Sequence, residues 1–197
     1  MKLYGTTTSP FVRRVRVVAA EIGEPIDRID TAPEAGQEAL RAVSPIRKVP
    51  TAEIDGKRLY DSHLIIEYLT LTRGWGTLAP PRDHWREGNI LNAIDAALES
   101  IVQVFYLRRD GVAIDGTVFA QRQLARTDAI FAWLGTQLAA DGTSFSGGFG
   151  LCELALISTI DWMTFRPLYP LEGAAPVAAV CAAWRDRPSL VETRPHV

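Results

Sequence analysis

The fold of this chain is decided by residues 48–62, which read KVPTAEIDGKRLYDS. The Asp55-Gly56 pair stands between two short stretches, 51–54 and 58–60, and predicts a tight turn that joins two antiparallel strands. Asp61 and Ser62 then begin a helix, because both residue types are preferred at helix N-caps. A hairpin followed at once by a helix is typical of the second half of a small α/β domain.

The residues before the hairpin predict the first half of that domain. A short strand is followed by a helix that begins at Ser9-Pro10 and ends at Gly23, a favoured residue after a helix. A second strand at 26–30 completes a strand–helix–strand unit, whose two strands lie parallel with a right-handed crossover. A second helix over 33–43 then gives the order β-α-β-α-β-β-α. Residues 1–74 are therefore predicted to form one α/β domain with a mixed sheet.

A stretch rich in Gly and Pro, residues 75–82, predicts a linker to a second domain. After it the apolar residues recur at helical spacing, which predicts helices at about 83–108, 115–140, 151–165 and 176–186. We expect Glu153 to cap the third of these helices together with Gly150, which stands where a hydroxyl residue is usual. Residues 83–197 are therefore predicted to form an all-α helical-bundle domain.

Composition argues against several classes of protein. The 21 Lys and Arg residues and 23 Asp and Glu residues are mixed along the chain, which disfavours nucleic-acid binding. No apolar run approaches the roughly 20 residues of a membrane span, and a strand pattern begins at residue 2 rather than a signal peptide. We therefore expect a cytoplasmic protein in which Cys152 and Cys181 are buried, reduced thiols. The three histidines lack ligand spacing, so no metal site is expected.

Ser9 lies where the first predicted helix begins. Helix N-termini carry unpaired N–H groups and partial positive charge, which favours a nearby thiolate, and a hydroxyl there can donate a hydrogen bond to it. The simpler interpretation is that Ser9 only caps the helix. Taken alone, the local pattern favours capping.

Val49-Pro50 precedes the third predicted strand. A cis bond at this proline would turn the preceding backbone toward solvent, where Val49 could pair with a peptide-like ligand as an added strand would. The alternative is an ordinary proline at a strand edge.

Asp61-Ser62 offers groups of both charges at the start of the third helix. The backbone N–H groups and the Ser62 hydroxyl suit a carboxylate, and the Asp61 carboxylate suits an ammonium group. Simple capping would explain the same pair. We expect the segments near 9, 49 and 62 to open onto one edge of the fold, which favours a single site for a ligand with an amino-acid head group.

Three groups of residues in this domain resemble bacterial glutathione S-transferases. They are Ser9-Pro10-Phe11-x-Arg13-Arg14-Val15-Arg16, Ser44-Pro45-x-x-Lys48-Val49-Pro50 and Asp61-Ser62-x-x-Ile65-Ile66-x-Tyr68-Leu69. The second half resembles the helical domain of that family more loosely, including its end, Trp184-Arg185-x-Arg187-Pro188-Ser189. The resemblance implies a thioredoxin-like domain followed by an all-α domain, and a homodimer.

The resemblance also implies roles for particular residues. Ser9 matches the position of the family's thiolate-stabilising Ser or its Cys, and Tyr4 does not match the catalytic tyrosine of other classes. In the glutathione site, Phe11 is expected beside the thiol and Lys48 near the glycyl end. Val49 is expected to pair with the cysteinyl backbone beside a cis-Pro50. The γ-glutamyl group is assigned to Asp61 and Ser62.

The resulting hypothesis is a glutathione transferase that has glutathione as co-substrate and no permanently bound cofactor. Its partner is a small, mostly apolar electrophile, expected in a pocket of the helical domain that includes Val102 and Tyr106. The alternatives are a glutathione-dependent isomerase, dehalogenase or peroxidase using the same site, or a non-catalytic binding module. Arg13, Arg14 and Arg16 are predicted to form a solvated or interface-pairing face.

Overall fold

A computed structural model describes residues 1–196. The chain divides into two compact units, one made of residues 1–78 together with 186–196 and the other of residues 79–185. The first unit contains β1 (Lys2–Tyr4), α1 (Pro10–Ile22), β2 (Asp27–Ile29), α2 (Glu34–Val43), β3 (Thr51–Ile54), β4 (Lys57–Leu59) and α3 (Ser62–Arg73). The second contains α4 (His84–Arg109), α5 (Val118–Gly135), α6 (Leu151–Phe165), a 3-10 turn (Leu171–Val177) and α7 (Ala178–Trp184). A last short helix, α8 (Pro188–Glu192), belongs to the first unit.

The sheet of the first unit has the strand order β2-β1-β3-β4. Strands β1 and β2 are parallel, whereas β3 is antiparallel to both β1 and β4. The predicted hairpin is confirmed: Asp55 and Gly56 have φ angles of 48° and 73°, and two positive φ values are what a type I′ turn requires. The predicted βαβ unit and the mixed sheet are likewise confirmed.

Helix α1 forms where its local signals predict it. Ser9 is the N-cap, Pro10 is the first helical residue, and Gly23 ends the helix in the left-handed region with a φ of 74°. The apolar stripe of α1 is fully buried with strand residues from β1 and β3 and with one face of α3. This core contains Leu3, Val12, Val15, Val18, Ala52, Ile65 and Leu69.

The second unit is built around α4, which packs against α5 and α6. The residues of α4 that face its neighbours are fully buried, among them Ile90, Ile94, Leu98 and Ile101. By length and composition alone this 26-residue helix could cross a membrane. The core helix of a soluble protein meets the same criterion, so this is weak support for a span.

The start of α6 confirms the capping role predicted for Glu153. Its carboxylate accepts hydrogen bonds from the N–H groups of Gly150, at 2.9 Å, and Phe145, at 2.6 Å. Because Gly150 has no side chain, the helix lacks the reciprocal bond of a full capping box. Burial raises the pKa of Glu153, although these backbone donors oppose the effect.

Four sequence-based expectations differ from the structure. The helix predicted over 115–140 spans only Val118–Gly135. Residues 186–196, which we expected in the helical domain, belong to the first unit because their hydrogen-bonding partners lie on α1. A solvated or interface-pairing face was predicted for Arg13, Arg14 and Arg16, and its solvated form is wrong for Arg13 and Arg14, since both side chains are buried. Cys152 is buried as expected, whereas Cys181 is partly exposed.

Candidate functional site

The sheet register brings the three predicted site segments to one edge of the first unit. Tyr4, the last residue of β1, pairs with Thr51, the first residue of β3. Leu59, the last residue of β4, pairs with Ala52 of β3. The chain therefore leaves β1 toward Ser9, approaches β3 through 49–50 and leaves β4 toward Asp61 at the same edge.

Ser9 is half-buried at this edge and is the N-cap of α1. Its hydroxyl oxygen accepts a hydrogen bond from the N–H of Val12, at 3.3 Å. A serine hydroxyl has two lone pairs and one proton, so it can accept this bond and still donate to a ligand. The partial positive charge at the start of α1 acts in the same place and favours an anion such as a thiolate.

Phe11 lies two residues further along, in the first turn of α1. Its ring centroid is 5.3 Å from the guanidinium carbon of Arg14, a cation–π contact that orients both side chains. The ring is half-buried, so part of it remains accessible at the start of the helix.

The Val49–Pro50 peptide bond is cis, as predicted. Pro50 is buried, Val49 is half-buried and Lys48 is exposed. The Thr51 hydroxyl donates to the carbonyl oxygen of Lys48, at 3.1 Å, which closes the turn in front of β3. Because β3 begins only at Thr51, the backbone of Val49 lies outside the strand.

Asp61 is the N-cap of α3, and its carboxylate accepts a hydrogen bond from the N–H of His63, at 2.9 Å. The carboxylate is exposed, whereas Ser62, the first residue of α3, is buried. The Tyr60–Asp61 bond is also cis. An exposed carboxylate thus stands beside the positive end of a helix dipole, an arrangement that can hold a group with both an ammonium and a carboxylate.

Tyr4 does not take part in this arrangement. Its hydroxyl donates to the carboxylate of Glu53, at 2.8 Å. Burial raises the pKa of Tyr4, and the hydrogen bond to Glu53 raises it further. Tyr4 is therefore held in its protonated form, which agrees with its lack of a predicted catalytic role.

Val102 and Tyr106, predicted to line a second-substrate pocket, lie on α4 in the second unit. Tyr106 is 49% exposed, and its ring contacts the guanidinium group of Arg109, with 4.7 Å between the guanidinium carbon and the ring centroid. Val102 is half-buried one turn earlier. An accessible aromatic ring suits an apolar ligand, whereas Val102 also contributes to packing.

Sequence reasoning did not predict a wide, open cavity of about 800 Å³ at the opposite edge of the sheet. It lies around the Asp55-Gly56 turn and the N-terminus. Some charged groups of its lining form ion pairs: the Met1 ammonium with Glu24, at 3.2 Å, and Arg58 with Glu53, at 3.3 Å. Side chains of both charges line the cavity, and its lining contains none of the predicted site residues.

Among residues 1–196, no group of three or more His, Cys, Asp or Glu side chains is arranged to hold a metal ion.

Comparison with known proteins agrees with this geometry. Residues 3–74 match the family model described as "Glutathione S-transferase, N-terminal domain". The uncharacterized GST-like protein YibF of Escherichia coli K12 is 25% identical over 177 residues, which cover 86% of this chain and 85% of that protein.

Solved structures match along the whole chain. A glutathione S-transferase of Methylobacillus flagellatus with bound glutathione has a TM-score of 0.81 and 25% identity, and the match covers 99% of both chains. One from Methylobacterium radiotolerans, in complex with glutathione sulfonate, has a TM-score of 0.82 and shares the fold at 21% identity, covering 100% of this chain and 95% of that one. Residues 3–74 thus match the N-terminal domain of glutathione S-transferases, and the chain as a whole shares the fold of these solved structures.

Proposed function

We propose that this protein is a glutathione transferase of the serine/cysteine type, in which Ser9 stabilises the thiolate of bound glutathione. The observation that carries the proposal is the shared sheet edge, at which the chain leaves β1 toward Ser9, enters β3 from Val49-Pro50 and leaves β4 toward Asp61-Ser62. The glutathione and glutathione sulfonate held by the similar solved structures support this choice of ligand.

Each part of glutathione has a chemically suitable partner at this edge. The γ-glutamyl group carries an ammonium and a carboxylate, which suit the Asp61 carboxylate and the start of α3 at Ser62. The cysteinyl backbone can pair with Val49, whose peptide groups lie outside β3. The exposed Lys48 ammonium suits the glycyl carboxylate. Phe11 supplies an apolar surface beside the thiol.

The chemistry requires a modest shift in the pKa of the glutathione thiol. Lowering it from about 8.5–9 to near 6.5 corresponds to about 3 kcal/mol, which two oriented hydrogen bonds to a charged sulfur can supply. The thiol proton passes to solvent. The sulfur then forms a bond to an electrophilic carbon, and the leaving group departs with its electron pair.

The remaining features of the proposal follow from the family. The second substrate is a small, mostly apolar electrophile, which binds the helical unit at a surface that includes Val102 and Tyr106. Glutathione is a co-substrate rather than a resident cofactor. The protein acts as a homodimer in the cytoplasm, and its role is detoxification.

Calorimetry with glutathione, followed by turnover of a panel of electrophiles, tests the proposal. Ser9→Ala is expected to lower kcat/KM by about 100-fold, the usual cost of losing one hydrogen-bond donor to a developing anion. At pH 5.5, where the bound thiol is protonated, the glutathione Kd should change by less than about fivefold, because a single neutral hydrogen bond is worth about 1 kcal/mol or less.

The matched control is Thr117→Ala. Thr117 caps α5 through a hydrogen bond from the N–H of Ala120, at 3.2 Å, so this variant loses a helix cap without touching the candidate site. Turnover in Ser9→Ala that equals the control would show that Ser9 is only a cap. Glutathione binding without turnover of any electrophile would indicate a binding module, and no binding at millimolar concentration would refute the transferase.

A further inference from the structure

The C-terminal residues 187–196, which we call the C-terminal brace, run along α1 in the opposite direction. Arg187, at one end of the brace, bonds Glu21 in the last turn of α1. Leu190, in its middle, accepts a hydrogen bond from Arg13. His196, at the other end, bonds Thr7 in the loop before Ser9. The brace thus contacts the C-terminal end of α1, the first turns of α1 and the loop just before α1 begins.

The contact at Glu21 contains the most hydrogen bonds of the three. The Arg187 guanidinium donates to both carboxylate oxygens, at 2.7 and 2.6 Å, and its Nη2 also donates to the carbonyl oxygen of Thr77, at 3.0 Å. The hydroxyl groups of Ser189 and Thr77 also donate to this carboxylate. A two-point Arg–carboxylate pair fixes orientation as well as distance, so it sets where the brace starts along α1.

The contact at Arg13 is buried. Its guanidinium donates to the carbonyl oxygen of Leu190, at 3.0 Å, and to the hydroxyl of Thr193, at 3.4 Å. Leu190 and Thr193 are themselves buried, and the Thr193 hydroxyl donates to the carbonyl of Ser189. A buried guanidinium needs such acceptors, because an unpaired buried charge is strongly destabilising. Arg13 therefore fastens the brace to α1 one turn from Ser9.

The last contact reaches the loop that carries Ser9. The Thr7 hydroxyl donates to the carbonyl oxygen of His196, at 2.8 Å. Within the loop, the N–H of Ser9 is 3.4 Å from the carbonyl oxygen of Thr6, and the Thr6 and Thr8 hydroxyl oxygens are 3.2 Å apart. The Thr7 bond links this loop to a residue 189 positions further along the chain.

We infer that the C-terminal brace holds the loop 5–9 and the start of α1 in place, and that Thr7 is a positioning residue for Ser9 in thiolate stabilisation. The inference rests on the proposed function. This inference also gives a role to the Arg187-Pro188-Ser189 motif of the sequence. The motif anchors the end of the brace opposite the one that bonds Thr7. A hydroxyl stabilises a thiolate only at hydrogen-bond distance and angle, so a loop that is free to move weakens that contact.

Thr7→Val tests this inference, because valine has the shape of threonine and cannot donate the bond to His196. Thr7→Ser restores the hydroxyl, and Thr72→Val is the matched control. The Thr72 hydroxyl also donates to a backbone carbonyl, that of Tyr68, at 2.7 Å, but on α3. The readouts are the thiol pKa of bound glutathione, from thiolate absorbance against pH, and amide hydrogen exchange of residues 5–12 in the free protein.

Thr7→Val is expected to raise the bound thiol pKa by about 0.5 unit, a threefold loss of thiolate stabilisation, and to speed exchange in residues 5–12 several-fold. Thr7→Ser should restore both, and Thr72→Val should change neither. An unshifted thiol pKa in Thr7→Val overturns the positioning role, even if exchange is faster. Failure of the unmodified protein to bind glutathione would instead refute the proposed function, which distinguishes the two results.

Discussion

Ser9 illustrates how one residue can satisfy two interpretations of a sequence. Its oxygen caps α1 by accepting the Val12 N–H, while its proton remains able to donate to a ligand. Capping and thiolate stabilisation are therefore compatible at this position. The Ser-Pro pattern predicted the cap because capping depends only on neighbouring residues. The distance from the hydroxyl to a ligand sulfur depends instead on the sheet that carries the loop.

Lys48 gives a prediction at the same scale. Lys48→Ala is expected to raise the glutathione Kd by about threefold, since an exposed ion pair is worth 1 kcal/mol or less. The difference should shrink as salt is added, because salt screens exposed charges. Calorimetry at low and high salt measures both effects.

Lys57→Ala is the control for this prediction, because Lys57 is also an exposed lysine but lies at the opposite edge of the sheet. Equal Kd values for the two variants would exclude Lys48 from the glutathione site.

At the scale of elements, the C-terminal end of α1 is held by the charged carboxylate of Glu21, which pairs with Arg187. Burial alone would raise the pKa of Glu21, but hydrogen bonds from Arg187, Ser189 and Thr77 outweigh burial and hold the pKa at about 2. A carboxyl whose pKa is lower in the folded state stabilises that state above its ordinary pKa of 4.5. This stabilisation is lost as the pH falls from 4.5 toward 2.

Glu21→Gln is therefore expected to lower the free energy of unfolding by about 2 kcal/mol at pH 7. The difference from the unmodified protein should narrow between pH 4.5 and 2, where the native carboxylate also loses its charge. Urea unfolding at pH 7, 4 and 3 measures this. Glu67→Gln, an exposed change on α3, should have little effect at any pH.

Helix α6 gives a second prediction for an element. Glu153→Gln should lower stability by about 1–3 kcal/mol, because each carboxylate oxygen accepts one backbone N–H bond and the amide NH₂ group that replaces one oxygen cannot accept, which leaves one buried N–H without its acceptor. Thermal unfolding measures the loss, with the exposed Glu99→Gln on α4 as control. Equal midpoints for the two variants would contradict the role given to Glu153.

At the scale of the whole molecule, a homodimer is the expected assembly. Leu64 and Leu71 lie seven residues apart on one face of α3 and are 45% and 78% exposed. Light scattering after gel filtration is expected to give twice the chain mass of 21.7 kDa. Leu71→Asp should shift the protein toward the single-chain mass, because a charge at an apolar interface is costly. A monomer at every concentration would contradict the prediction.

The sequence by itself determined the element order of the first unit and the positions of its candidate site residues. The signals that did so act between near neighbours: Ser9-Pro10 and Gly23 bound α1, Asp55-Gly56 makes the hairpin, and Asp61 caps α3. These elements can be predicted from the sequence because capping and turn formation depend on only a few neighbouring residues. The helices of the second unit were predicted less sharply, since their ends depend more on packing.

Only the tertiary structure decided the burial of Arg13 and the placement of residues 186–196 in the first unit. Arg13 sits in a basic run that, taken locally, predicts a solvated face, and its acceptors lie 177 and 180 residues away along the chain. Glu21 and Arg187 are separated by 166 residues. Helical periodicity reports which residues share a face. It carries no information on which distant segment will cover that face, because that choice depends on charge and shape complementarity formed only when the chain folds.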